Sequence, residues 1–154
     1  MLSQEFLKQT ILFSDLTEDE LLEVVLIGRV KNYATDTVIF KEGDPGDTLY
    51  LVVSGAVRIS KMHGGAEEAL AVLERRSFFG EMTLFDNQSR SAYAIAHQPT
   101  SLFAISVSDL VKLFNKNQNI AYKFLWAFCR TLTERLRTTN EKFQVIMSLA
   151  NSGF

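Results

Sequence analysis

Cysteine occurs once in this chain of 154 residues, at Cys129, which excludes an internal disulfide and any multi-cysteine zinc site. Placed in a strongly helical stretch, Cys129 reads as a small buried apolar side chain. Histidine is nearly as scarce. His63 adjoins Gly64-Gly65 and His97 adjoins Gln98-Pro99, turn settings that put both at the surface and leave little to support an enzyme. No apolar run opens the chain: Gln4, Glu5, Lys8 and Gln9 interrupt Leu2, Phe6 and Leu7, so no secretory h-region forms and a cytoplasmic location is expected. A formal charge of −2 supplies no global field for nucleic acid. The balance of 47% hydrophobic and 22% charged residues is that of an ordinary globular protein, which argues against disorder and against membrane insertion. The length suits one domain with a long terminal helix and no second core.

The texture changes twice along the chain. Thr17 and Glu20 have capping-box spacing, and Leu21, Leu22, Val25 and Leu26 follow at helical intervals, predicting a helix from about Glu18 to Gly28. Residues 1–28 form an N-terminal helical segment in this reading. From Val30 to Ile105 the apolar runs are short and rich in Val, Ile, Tyr and Phe: Thr37–Phe40, Leu49–Val53, Ala56–Ser60, Ala69–Leu73, Ser91–Ala96 and Ser101–Ile105. Six or more strands at such spacing predict an antiparallel sandwich or roll over residues 29–106, with Gly64-Gly65 turning a hairpin. The fold class is α+β.

The helical period returns over residues 107–154. Ser108 is placed to cap a helix through Phe114, with Asn115–Asn119 as a connection. Leu125, Phe128, Leu132, Leu136, Thr139, Phe143 and Ile146 then follow at steps of three or four with no Gly or Pro among them, a long amphipathic helix with a coiled-coil-like seam. A β-roll covers only its near end, so the seam meets either its own domain or a second copy of the chain. Between Lys116 and Lys142 six basic residues face Glu134 and Glu141, a local excess of +4 that suits a solvated face or a patch for an acidic partner.

The densest chemistry lies in Phe79-Gly80-Glu81-Met82-Thr83-Leu84, followed by Arg90-Ser91-Ala92. Gly80 admits a backbone conformation that other residues resist, and a short helical turn after it would present free N–H groups to an anion. Arg90, ten residues on, adds a bidentate charge-assisted donor, and Ser91 adds a hydroxyl. Beside a phosphate, the Glu81 carboxylate makes sense only facing another part of the ligand, and a sugar hydroxyl is the donor it would accept. A phosphorylated sugar is indicated.

This segment resembles the phosphate-binding cassette of cyclic-nucleotide-binding domains, at residues 79–92. The upstream run from Gly43-Asp44-Pro45-Gly46 to Ser54-Gly55 resembles the same family's first signature. The resemblance implies an antiparallel β-roll of the double-stranded β-helix (jelly-roll) type with N-terminal helices and a long C-terminal helix. It implies Glu81 on the ribose, Arg90 and Ser91 on the cyclic phosphate, and the backbone of Phe79, Gly80, Met82, Thr83 and Ala92 around them. Thr83 replaces a usual Ala or Ser and adds bulk next to the ligand; Ser89 replaces a frequent Pro. Arg135–Lys142 is similar to the dimer helix of bacterial cAMP receptor (catabolite activator) proteins, with Thr139 and Asn140 where a pair reaches adenine across the subunit boundary. The implied partners are cAMP, with cGMP as the alternative, a second copy through the C-terminal helix, and a protein effector. No cofactor, metal or membrane is called for. Catabolite activators continue into a winged helix-turn-helix, and this chain stops at Phe154, so direct DNA binding is not expected. A scaffold that keeps the roll without its ligand is the competing reading.

Overall fold

The computed structural model describes residues 2–153. Two short helices, α1 (Gln4–Lys8) and α2 (Glu18–Ile27), precede the sheet region. The Thr17–Glu20 capping box forms as expected: Thr17 Oγ1 accepts the Glu20 N–H and Glu20 accepts the Thr17 N–H. Gly28 closes α2 and opens β1 (Gly28–Tyr33), a strand absent from the sequence reading. Arg29, Val30, Lys31 and Asn32 are all exposed on this edge strand, so it lacks the alternation that marks a half-buried one. Glycine is needed at position 28 because the Phe103 ring lies against it, 2.0 Å from where a Cβ would stand.

The remaining strands are β2 (Val38–Phe40), β3 (Thr48–Ser54), β4 (Ala56–His63), β5 (Ala66–Glu74), β6 (Phe78–Phe79), β7 (Tyr93–Ala96) and β8 (Thr100–Ser106). They form two antiparallel four-stranded sheets, ordered β1-β8-β3-β6 and β2-β7-β4-β5. The period-two alternation of β3 and β8 explains how they stack. Tyr50, Val52, Leu102 and Ala104 face the second sheet and fill the roll with Val57, Phe79 and Ala94. Leu49, Leu51, Phe103 and Ile105 face the other way, into a helical layer with Phe13, Leu16, Leu21, Leu110 and Phe124. Gly64 (φ 58°) and Gly65 (φ 84°) turn the β4–β5 hairpin, closed by the His63–Ala66 pair. β5 therefore starts three residues earlier than expected. β7 starts two residues later, because Ser91 and Ala92 still belong to the loop that carries Arg90.

Helix α3 (Thr83–Asp86) is a single turn; α4 (Val107–Lys116) and α5 (Gln118–Asn151) complete the chain. The cap of α4 is Ser106, not Ser108: Ser106 keeps the extended backbone of β8, and its Oγ accepts the Asp109 N–H at 3.0 Å. The expected connection at 115–119 shrinks to Asn117. α5 runs 34 residues, about 51 Å at 1.5 Å per residue. Ile120, Phe124, Ala127, Phe128 and Thr131 bury its near end against the domain, and every residue from Leu132 to Asn151 is exposed.

Two sequence expectations for α5 are corrected by its rotation. Phe128 is buried against its own domain, on Phe78, Phe85 and Phe124, so it is not part of the outward seam. Cys129, expected to be buried, is exposed and takes that place, one residue further round the helix. The basic excess is also no open patch. Lys116 of α4 pairs with Glu23, and on α5 Lys123 pairs with Glu20, Arg130 with Asp15 and Arg135 with Glu81, so three of the six charges tie α5 to the rest of the chain. His63 and His97 are exposed, as their turn settings implied. Among the described residues, no helix is long and apolar enough to cross a membrane.

Candidate functional site

A cavity of about 800 Å³ opens between the cassette, the inner face of β4–β5 and α5. The Gly43–Asp47 loop and the cassette meet at its Arg90 end. Gly43 N–H donates to Arg90 O at 2.9 Å, Arg90 N–H donates to Asp44 O at 2.8 Å, and Pro45 bridges Ser89. The two signatures, separated in sequence by residues 56–78, are thus one backbone-bonded unit.

Gly80 adopts φ 79°, in the left-handed region that favours glycine. This turn aims the Gly80 carbonyl at Arg90, whose Nη1 donates to it at 3.1 Å and to Thr83 Oγ1 at 3.4 Å. Arg90 Nη2 donates to Thr48 O at 2.8 Å. The guanidinium lies 4.2 Å from the Phe40 ring centroid, on an aromatic floor where Tyr50 stacks on Phe79 at 5.1 Å. Arg90 is only 4% exposed, and its Nε is buried without a hydrogen-bond partner. Burial pushes its pKa down, while the Tyr50, Asp47 and Glu81 fields pull it back up. An arginine stays protonated under such conditions. The site therefore holds a buried positive charge met by carbonyl dipoles and ring faces, with no carboxylate in contact among the described residues.

Glu81 is nearly buried, with its side chain 12% exposed, and its Oε1 lies 2.6 Å from Arg135 Nη1. Arg135 stacks over the Phe78 ring at 4.6 Å. Its contribution was missed in the sequence reading. The signal was available: Arg135 precedes Thr139 by one helical turn, so both lie on one face of α5. The Thr83 bulk is directed inward: the side chain is 3% exposed, packs where a Gly46 Cβ would stand, and donates its hydroxyl to Gly80 O at 3.1 Å. Thr83 also lines the cavity.

The structure brings the eight expected cassette residues, 79–83 and 90–92, to one cavity wall. Met82 and Ser91 are exposed at its rim, and Ala92 is buried beneath it. Ile59, Ala71 and Leu73 form an apolar wall that the sequence reading did not assign. Thr139 and Asn140 are not among the residues lining the cavity of their own chain. Both are exposed on α5, where the Thr139 hydroxyl donates to Arg135 O at 2.8 Å.

A buried guanidinium that no carboxylate among the described residues contacts, with the Glu81 carboxylate on the same cavity, is an arrangement able to take an anion beside a hydroxyl donor. Residues 30–117 match the cyclic nucleotide-binding domain family, more than half of the chain, and the protein belongs to that family. It is 36% identical over 129 residues to the cyclic AMP receptor protein of Thermus thermophilus, covering 83% of this chain and 60% of that one. The chain thus spans about three-fifths of that relative's length. Among solved structures, the N-terminal domain of a transcriptional regulator from Streptomyces coelicolor superposes with TM-score 0.75 at 32% identity, covering 90% of this chain and 94% of that one. The regulatory domain of Toxoplasma gondii PKA, crystallised with cAMP, matches with TM-score 0.64 at 31% identity, over 73% of this chain and 42% of that one.

Proposed function

We propose that the chain is a regulatory module that binds cAMP in preference to cGMP, without turning it over, and signals through α5. The observation that carries this reading is Arg90. A buried guanidinium with an orphaned Nε is costly to hold unless an anion completes it, and a cyclic phosphate supplies that charge. Ser91, at the rim beside it, adds a hydroxyl donor. The ribose 2′-hydroxyl donates to Glu81, whose other partner is Arg135 on α5. The base lies along Ile59, Ala71 and Leu73, and Thr139 and Asn140 reach its edge across the subunit boundary.

The helix completes the reading. Leu125, Cys129, Leu132, Leu136, Thr139, Phe143 and Ile146 form an exposed stripe at alternating steps of four and three, the spacing of a two-stranded coiled coil. A parallel homodimer would cover it and place Thr139 near the two-fold axis. Because Glu81 already holds Arg135, a ligand on Glu81 makes different contacts with different positions of α5. Such a difference shifts a conformational equilibrium, and a coupling of about 1 to 3 kcal/mol is enough for a switch toward a protein effector. Residues 29–106 hold the ligand in this scheme and residues 107–154 transmit its presence.

Calorimetric titration of Arg90→Ala tests the reading. Binding of cAMP is expected to weaken by about 2 to 5 kcal/mol with the circular dichroism spectrum unchanged. Near-normal cAMP affinity in that variant would remove Arg90 from the phosphate. Glu81→Ala is expected to bind more weakly and to lose discrimination against 2′-deoxy-cAMP; discrimination equal to wild type would take Glu81 off the ribose.

A further inference from the structure

Six ionisable side chains line the cavity, Lys61, Arg90 and Arg135 against Glu42, Glu81 and Asp86. Two of the cations are already answered. Lys61 Nζ lies 2.6 Å from Glu42 Oε1, as Arg135 Nη1 lies 2.6 Å from Glu81 Oε1. Asp86 is exposed on the cassette turn, where its Oδ1 accepts the Gln88 N–H. Arg90 remains as the buried cation with no carboxylate in contact among the described residues. The cavity therefore offers one uncompensated buried positive charge.

The Lys61–Glu42 pair stands at the phosphate end. β4 and β2 flank β7 on its two sides. Ser60 is opposite Tyr93 and Phe40 is opposite Ala94, so Lys61 and Glu42 continue their strands toward Ala92 and Ser91. Gly43, next to Glu42, donates its N–H to Arg90 O. The ion pair thus bridges the segment that delivers Arg90 and Ser91. Both side chains are only partly covered, 33% and 42% exposed, so either can turn to a ligand or to solvent.

Resting on the cyclic-nucleotide reading, we propose that Glu42 is a specificity-determining residue: by keeping Lys61 neutralised, it matches the phosphate end of the cavity to a singly charged phosphodiester and rejects the doubly charged phosphomonoester of a 5′-nucleotide. A cyclic phosphate carries one negative charge, which Arg90 answers. A phosphomonoester ionises a second time near pH 6, so it carries close to two charges at neutral pH. The second charge would enter a cavity floored by the Phe40 ring, with no free cation among the described residues to meet it, because Glu42 and Glu81 hold Lys61 and Arg135. The device separates a cyclic nucleotide from the 5′-product of its hydrolysis, which differs by one charge on the phosphate and by a free 3′-hydroxyl on the ribose.

The test is calorimetric titration of cAMP and 5′-AMP into wild type, Glu42→Gln, Lys61→Met and the double variant, at pH 7.5 and 5.5. Glu42→Gln frees the ammonium and is expected to narrow the preference for cAMP over 5′-AMP roughly tenfold, mostly by tightening 5′-AMP. Lys61→Met leaves Glu42 bare and is expected to widen it; the double variant returns toward wild type. At pH 5.5, where 5′-AMP loses most of its second charge, the Glu42→Gln gain is expected to shrink. Opposite shifts in the two single variants are the signature of charge, since a packing disturbance would move both the same way. Ratios that stay put, or shift in one sense for both variants, with cAMP binding retained, overturn the proposal alone. A wild-type chain that binds neither cAMP nor cGMP overturns the cyclic-nucleotide reading and this proposal with it.

Discussion

Replacing Gly80 by alanine probes the cradle of the site through its backbone. At φ 79° an L-residue costs about 1 to 2 kcal/mol. The new Cβ would also lie 2.6 Å from Arg90 Nη1 and 2.8 Å from Thr48 O. Thr48 O belongs to the β3 backbone, so the guanidinium has to retreat. That breaks its 3.1 Å hydrogen bond to Gly80 O, which is charge-assisted and contributes about 1.5 to 3 kcal/mol. Together these amount to about 2.5 to 5 kcal/mol of lost stability. At this chain length the melting temperature falls by roughly 2 to 4 °C per kcal/mol, so thermal melts by circular dichroism are expected to shift down by about 5 to 20 °C. Affinity for cAMP is expected to fall at least roughly tenfold, because Arg90 is displaced from its position. Gly64→Ala is the control: φ is 58° there and no atom lies within 4 Å of the added Cβ, so only the backbone penalty applies. A Gly80→Ala protein that melts with the Gly64→Ala control and binds cAMP like wild type would refute the argument that Gly80 fixes Arg90.

The Glu20–Lys123 contact makes stability depend on acid. Burial pushes the Glu20 pKa up, but hydrogen bonds from Lys123 and from the Thr17 N–H more than offset that, and the net shift is downward. A carboxyl lowered in the folded state stabilises above its unfolded value of about 4.3, and the contribution fades as pH falls through the lower folded value. Denaturant titrations of Glu20→Gln, which keeps the capping box, are expected to show a loss of about 1 kcal/mol at pH 7 that vanishes toward pH 3; an equal loss at both pH values would assign the effect to packing. For α5, light scattering is expected to give a dimer that Leu132→Glu or Leu136→Glu converts to monomer; a wild-type monomer with and without cAMP would mean that the exposed stripe pairs with nothing in solution.

What the sequence made legible was whatever sat in one short stretch. From Phe79 to Ala92, glycine, carboxylate and arginine follow within fourteen residues, and each has a chemical reason to be near the others. The parts that stayed hidden come from several elements at once. Thr48, Phe40 and Tyr50 cradle Arg90 from β3 and β2, and nothing in their local pattern marks them as partners. Arg135 reaches Glu81 across 54 residues, a pairing fixed only by how α5 rotates on the roll. The same rotation, about 100° per residue, separates buried Phe128 from exposed Cys129. Steps of three and four identified an apolar helix but left open which of two adjacent positions faces outward. β1 was missed because an edge strand bonded on one side tolerates polar side chains throughout.

The central claim is that the Arg90 guanidinium is held ready for the phosphate of a cyclic nucleotide, with adenine preferred. Titration calorimetry of the intact chain with cAMP and with cGMP tests it most directly. The expected result is one site per chain, with cAMP bound tighter than cGMP by about 1.4 kcal/mol or more, a tenfold difference. Absence of binding heat and of thermal stabilisation with both nucleotides at millimolar concentration would contradict the claim, and clearly tighter cGMP binding would overturn the preference.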